Sequence, residues 1–187
     1  MVVNSGNRGK ALEDLVEICN EGYRAKGVAV IHRIPAAWLP IRNREGRIVS
    51  AKVDRKATVD FVGHVATSLG RAVPVAFEVK EVSSGDRWPL SKLEDHQYAC
   101  LRDSYFTGAA AFVLVGYREP RRYFLLPFPE LRRRWERWKE GGPASVRCGD
   151  SDLIEISFPN YLASLIKEPN RFLPLSVQLN AKETIFP

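Results

Sequence analysis

An apolar run in the middle of the chain, PVAFEVKEV (residues 74–82), is broken by Glu78 and Lys80, two positions apart. Successive side chains of an extended strand alternate between faces, so these two charges point the same way. Burying both is unfavourable unless they pair or hold an ion. Upstream, TVDFVGHV (58–65) carries the same alternation and puts Thr58, Asp60 and Val62 on one face of a second strand. If the two strands pair, Asp60, Glu78 and Lys80 converge. Two carboxylates and a hydroxyl are hard oxygen ligands, which suit Mg²⁺ or Mn²⁺ rather than zinc. A lysine beside them can hold a phosphate oxygen or an attacking water. Together these are the parts needed to hydrolyse a phosphodiester, a reaction in which positioning and charge stabilisation supply most of the catalysis.

Two further residues break their local pattern in the same direction. Gln97 follows Leu93 by four and precedes Cys100 by three, so it sits on the apolar stripe of its helix and faces inward. Glu13 stands next to Leu12, at the border of the first helix's stripe. A core amide is often merely satisfied and a helix acid is often merely solvated. With Asp60 and the E-x-K pair in view, both are assigned to the site. His32, His64 and His96 are too scattered to form a metal triad.

Positioning these groups falls to an α/β arrangement. SGNRGKALEDLVEICNEGYRAKG reads as a first helix, capped by Ser5 or Asn7 and stopped by Gly27. A strand (VAVIHRIP) follows, then an Arg-rich segment at 36–57 that reads as an extended hairpin turning at Glu45-Gly46. After the two site strands, Ser91 and Glu94 form an S-x-x-E capping box that opens a helix through Gln97. AAAFVLVGY is almost wholly apolar, as in a central strand covered on both faces. RYFLLPF, a helix opened by Pro129, a strand at DLIEISF and a short helix at NYLASLIKE complete the order. The expectation is one domain over residues 1–187, with a mixed central β-sheet flanked by helices.

The 187 residues are 45% hydrophobic and 27% charged, the composition of a globular protein rather than a disordered one. The longest apolar run, GAAAFVLVG, is too short to span a bilayer, and MVVNSGNRGK has no apolar signal core. A cytoplasmic protein without membrane partners is expected. Three scattered cysteines support neither a disulfide framework nor a zinc knuckle. The 28 Lys and Arg exceed the 22 Asp and Glu, and the excess is concentrated. Arg42–Lys56 holds six bases against two acids, and Arg118–Lys139 eight against three. One such run is usually a solvated face; two, one beside a candidate site, point to nucleic acid. Arg42, Arg44, Arg47 and Lys52 are the candidate contacts in the first run. Arg8 and Lys10 flank a helix start, where backbone N–H groups favour a phosphate.

An Asp followed at a distance by Glu-x-Lys resembles the core motif of the PD-(D/E)xK nuclease superfamily, with Asp60 and Glu78-Val79-Lys80 in its positions. NRGKALED, TVDFVG before FEVKE, PLSKLEDHQ, and YFLLPF after an apolar strand are similar to the RecU family of Holliday junction resolvases. The likeness runs from Asn7 to Phe128 and more loosely through SVRCGDSDLIEI and YLASLI. Archaeal-type junction resolvases share the same catalytic set. The resemblance implies a restriction-endonuclease-like core and Mg²⁺, replaceable by Mn²⁺, bound through Thr58, Asp60, Glu78 and Gln97. It also implies a transition-state role for Lys80 and a helix acid, Glu13, that completes the acidic set. Residues 36–57 would then be a stalk that meets the junction centre, short for that family. A four-way DNA junction is the implied substrate. Paired cuts in a two-fold symmetric junction call for a homodimer. The function expected is resolution of junctions in DNA recombination and repair, with a recombinase as a conceivable further partner. Two alternatives stay open: another PD-(D/E)xK nuclease acting on linear duplex, and a junction-binding protein whose acids hold only a structural ion.

Overall fold

Leu12, Val16, Cys19 and Tyr23 recur at helical spacing and bury one side of α1 (Lys10–Ala25). Gly27, at φ 68°, ends it by letting its own and the next amide turn back onto the last carbonyls. The structure is a computed structural model and describes residues 10–35, 37–55 and 58–178. After α1 come β1 (Ala29–Arg33), β2 (Ala37–Arg42), β3 (Ile48–Arg55), β4 (Phe61–Ala66), β5 (Ala72–Val82) and β6 (Arg87–Pro89). They are followed by α2 (Asp95–Phe106), β7 (Ala110–Tyr117), β8 (Arg122–Pro127), α3 (Phe128–Lys139), β9 (Ser145–Arg147), β10 (Ile154–Ile156) and α4 (Ala163–Lys167).

Six strands form one sheet in the order β1-β4-β5-β7-β8-β10. Only β5 and β7 run parallel, so the sheet is mixed, as the sequence predicts. All eight residues of β7 are buried, which explains its nearly unbroken apolar sequence. The pleat divides the core into two layers. Val75, Phe77 and Val79 join Phe112, Leu114 and the apolar stripe of α1 on one face. Ala76, Val113 and Val115 meet Leu101 of α2 and Leu131 and Trp135 of α3 on the other. Phe61, Phe77 and Phe112 stack at 5.0 and 4.7 Å, locking three adjacent strands one residue before Glu78. No helix among the described residues is long and apolar enough to cross a membrane.

The hairpin forms its own two-stranded sheet, β2 with β3. Its turn is fixed by the Asn43 side-chain oxygen, which accepts from the amides of Glu45 and Arg47, and by Gly46 at φ 79°. A lone ribbon has no second layer to cover it, and Leu39, Ile41, Ile48 and Val49 are exposed.

Three expectations change. Thr58 and Asp60 lie in the bend before β4 rather than within it, so strand alternation does not place them. Ser91 falls in a 3-10 turn (Leu90–Lys92), and α2 starts one cap later. There Glu94 is the N-cap and Gln97 its partner in the capping box. β6 and β9 pair as a small third sheet that three-residue segments could not announce. The Ser5 or Asn7 cap of the first helix lies outside the described residues.

Candidate active site

The site forms where β4 stops short. β4 covers β5 only from Ala72 to Phe77, whereas β5 runs on to Val82. The backbone edge past Glu78 would be left unpaired on that side, and Asp60, in the bend before β4, closes it. Its Oδ2 accepts the Val79 N–H at 2.8 Å, and its own N–H donates to Glu78 Oε2 at 3.1 Å. Asp60 thus reaches Glu78 through a backbone bond rather than by sharing a pleat.

Glu78 is 1% exposed. The pleat sets Lys80 on the same face, and its Nζ donates to Glu78 Oε1 at 2.7 Å. Gln97, projecting from the first turn of α2, donates through its amide nitrogen to the same oxygen. Its Oε1 accepts from Lys80 Nζ at 3.2 Å and from the Glu94 amide at 3.0 Å. One side chain therefore caps the helix and ties it to the ion pair. Burial pushes the Glu78 carboxyl up to about 8, against the pull of Lys80 and with added repulsion from Asp60.

Glu13 approaches from α1. Burial first, then repulsion from Asp60, raises its affinity for a proton. One of its oxygens is held by Arg33, whose guanidinium also binds Asp14 at 3.0 Å and Glu17 at 3.4 Å. The structure therefore gathers Asp60, Glu78, Lys80 and Gln97 and places Glu13 at their border. Thr58 is exposed in the bend two residues before Asp60 and makes no hydrogen bond to Glu78, Lys80 or Gln97. Arg33 was not visible as a site neighbour in the sequence, since only the packing of α1 against β1 brings it to Glu13.

The donor set fits a hard divalent cation: the carboxylate oxygens of Asp60 and Glu78 and the amide oxygen of Gln97. Among the described residues no three His, Cys, Asp or Glu side chains converge, so such an ion would rest on two carboxylates. A cation there would favour the ionised form of Glu78 against the burial, and the Asp60 repulsion, that raise its carboxyl.

The basic candidates separate. Arg42, Arg44 and Arg47 are exposed on the hairpin; Arg42 Nη1 donates to the Gly46 carbonyl at 2.8 Å, and Arg47 has only a loose 3.9 Å approach to Glu45. Lys52 is on β3, but its side chain lies outside the described residues, as does Arg8 altogether. Lys10 is exposed at the start of α1. The second basic run is largely neutralised. Arg132 pairs with Glu136, Arg133 with Glu130, and Arg134 with Asp150 and Asp152. Arg118 and Arg122 are held by Glu81 and Glu155. That run is a structural lattice more than a free cationic face.

A mixed α/β sheet bearing Asp60, Glu78 and Lys80 at the frayed end of its central strand is the core of a nuclease-like protein. The chain matches the family model described as Recombination protein U over residues 7–160, and it belongs to that RecU family. It is 29% identical over 148 residues to "Holliday junction resolvase RecU" of Geobacillus sp. (strain WCH70), covering 76% of this chain and 71% of that protein. The namesake of Pediococcus pentosaceus is 27% identical over 75% of this chain and 70% of its own. That of Limosilactobacillus reuteri (strain DSM 20016) is 27% identical over 74% and 68%.

Proposed function

We propose that the protein is a Mg²⁺-dependent endonuclease that resolves four-way DNA junctions during recombination and repair, acting as a homodimer in the cytoplasm. The observation that carries this reading is Glu78, a buried carboxylate enclosed by Asp60, Lys80 and Gln97 in a member of the RecU family. Asp60 and Glu78 would hold the cation, with Gln97 turning its amide oxygen to assist; Mn²⁺ satisfies the same hard-oxygen preference. Bound there, the cation supplies Lewis-acid charge and a water of lowered pKa. Asp60, fixed by the Val79 amide, keeps one oxygen pointed out of the sheet. Gln97 keeps α2 docked and holds Lys80 from its far side. Lys80, whose Nζ stands 2.7 Å from Glu78 Oε1, would offer its ammonium to the attacking water or to the charge developing on the phosphate. Glu13 adds a carboxyl at the border, itself held by Arg33. A junction has approximate two-fold symmetry, so two sites related by a dimer axis suit paired cuts.

The test is cleavage of an end-labelled four-way junction beside a linear duplex of the same sequence, with Mg²⁺, for wild type and Asp60→Ala. Symmetric nicks in the junction alone, lost in the variant, are expected. Equal cutting of the duplex would replace the resolvase reading with a general nuclease, and binding without cutting would make this a junction-binding protein.

A further inference from the structure

We propose that Arg87 and Lys92 form a phosphate-binding subsite that grips the cleaved strand beside the scissile phosphate. The inference rests on the nuclease reading above and extends it to two cations outside both basic runs. A cleft opens from the catalytic cluster along the end of β5, and its walls include Glu13, Lys80, Ser83, Ser84, Arg87 and Lys92. Lys80 is thus shared between the cluster and the cleft.

The far wall is rigid. β6 has the burial pattern exposed–buried–exposed, so Trp88 is sunk in the core while Arg87 on its flank stays out. Leu90 and Leu93, both buried, pin the 3-10 turn that carries Lys92. Two cations are therefore displayed from an anchored edge, an arrangement more exact than a mobile loop provides.

The charge balance leaves them free. Arg87 lies opposite Arg147 across the β6–β9 ladder. The carboxylate between them, Asp86, gives its close contact to Arg147 at 2.7 Å and only a 3.9 Å approach to Arg87. The one other polar contact of Arg87 among the described residues is to Ser145 Oγ at 3.5 Å. Lys92 is exposed and has no ion-pair or hydrogen-bond partner among the described residues. Lys80 is engaged at the cluster, its Nζ 2.7 Å from Glu78 Oε1. Glu81, the other acid on the cleft wall, is taken up by Arg118 at 3.1 Å, so the cleft keeps positive charge at Arg87 and Lys92, with the Ser83 and Ser84 hydroxyls as added donors. A forked guanidinium with a neighbouring ammonium suits a phosphodiester oxygen pair. A strand lying along the cleft would have one phosphate over the acids and an adjacent one over this pair.

The experiment measures junction binding in Ca²⁺ across a range of salt for wild type, Arg87→Gln/Lys92→Gln and the conservative Arg87→Lys/Lys92→Arg. The same proteins are then tested on junctions carrying a single neutral methylphosphonate at each linkage flanking the cut. Removing the cation that neutralises one phosphate lowers the salt slope by about one. The Gln pair should therefore bind about tenfold more weakly at moderate salt with a flatter slope, and the conservative pair should recover most of that affinity. One methylphosphonate position should weaken wild type and leave the Gln variant unaffected. An unchanged slope and affinity, or equal sensitivity to every methylphosphonate in both proteins, would overturn the subsite. Because these are binding measurements, they decide the subsite even if wild type proves unable to cut. Failure of wild type to cut or prefer a junction would instead count against the resolvase reading.

Discussion

Glu78 makes the stability of the metal-free protein depend on pH in a way that a glutamine would not. Its carboxyl is raised from 4.5 to about 8 by burial. The folded state therefore holds a proton that the unfolded state has released between those two values. The stabilisation this gives is complete below pH 4.5 and disappears as pH rises towards 8. One extra bound proton corresponds to a slope of about 1.4 kcal/mol per pH unit. Relative to Glu78→Gln, wild type should therefore lose about 3 kcal/mol between about pH 5.5 and 7.5 in EDTA, and then level off above about pH 8. Urea unfolding of both proteins at one-unit intervals measures the difference directly. Mg²⁺ competes with this proton, so its apparent affinity for wild type should rise by about tenfold per pH unit below about pH 8. Parallel pH profiles for the two proteins would refute this account. They would mean that the Lys80 ammonium, 2.7 Å away, keeps Glu78 ionised throughout.

Replacing Lys80 by Ala should abolish cleavage while junction binding in Ca²⁺ survives, read by gel shift beside the cleavage assay; normal cutting would remove Lys80 from the site. Charge reversal at Arg44 and Arg47 should weaken junction binding and flatten its salt dependence by about one unit for each phosphate no longer neutralised, measured by titration at several salt concentrations. Arg134→Ala should behave in the opposite sense. It strips Asp150 and Asp152 of their shared partner, so thermal or urea unfolding should show a destabilisation of about 2 kcal/mol, whereas junction affinity stays as in wild type.

The sequence alone determined the element order, the mixed sheet and the identity of the acid–lysine pair. These depend on local periodicity, and a charged E-x-K at the end of an apolar strand is anomalous wherever the strand is placed. Gln97 was also visible, because an amide on an apolar stripe must find a partner. Only the tertiary structure decided how the pieces meet. Asp60 joins Glu78 because the pairing of β4 with β5 ends at Phe77, leaving the Val79 amide to be satisfied, and no pattern within residues 58–65 encodes that shortfall. For the same reason Thr58, grouped with Asp60 by alternation, is carried by the bend before β4 and not by the strand. The two basic runs look alike as sequence. Their fates differ because α3 packs where Asp150 and Asp152 can reach its arginines, while the hairpin forms a separate sheet with few acids near it. Arg87 and Lys92 belong to neither basic run. Burial of Trp88, Leu90 and Leu93 between and beside them turns them into one edge of a cleft that begins at Lys80. Charge composition is a property of the chain, but which charges remain unpaired depends on contacts between residues far apart in it.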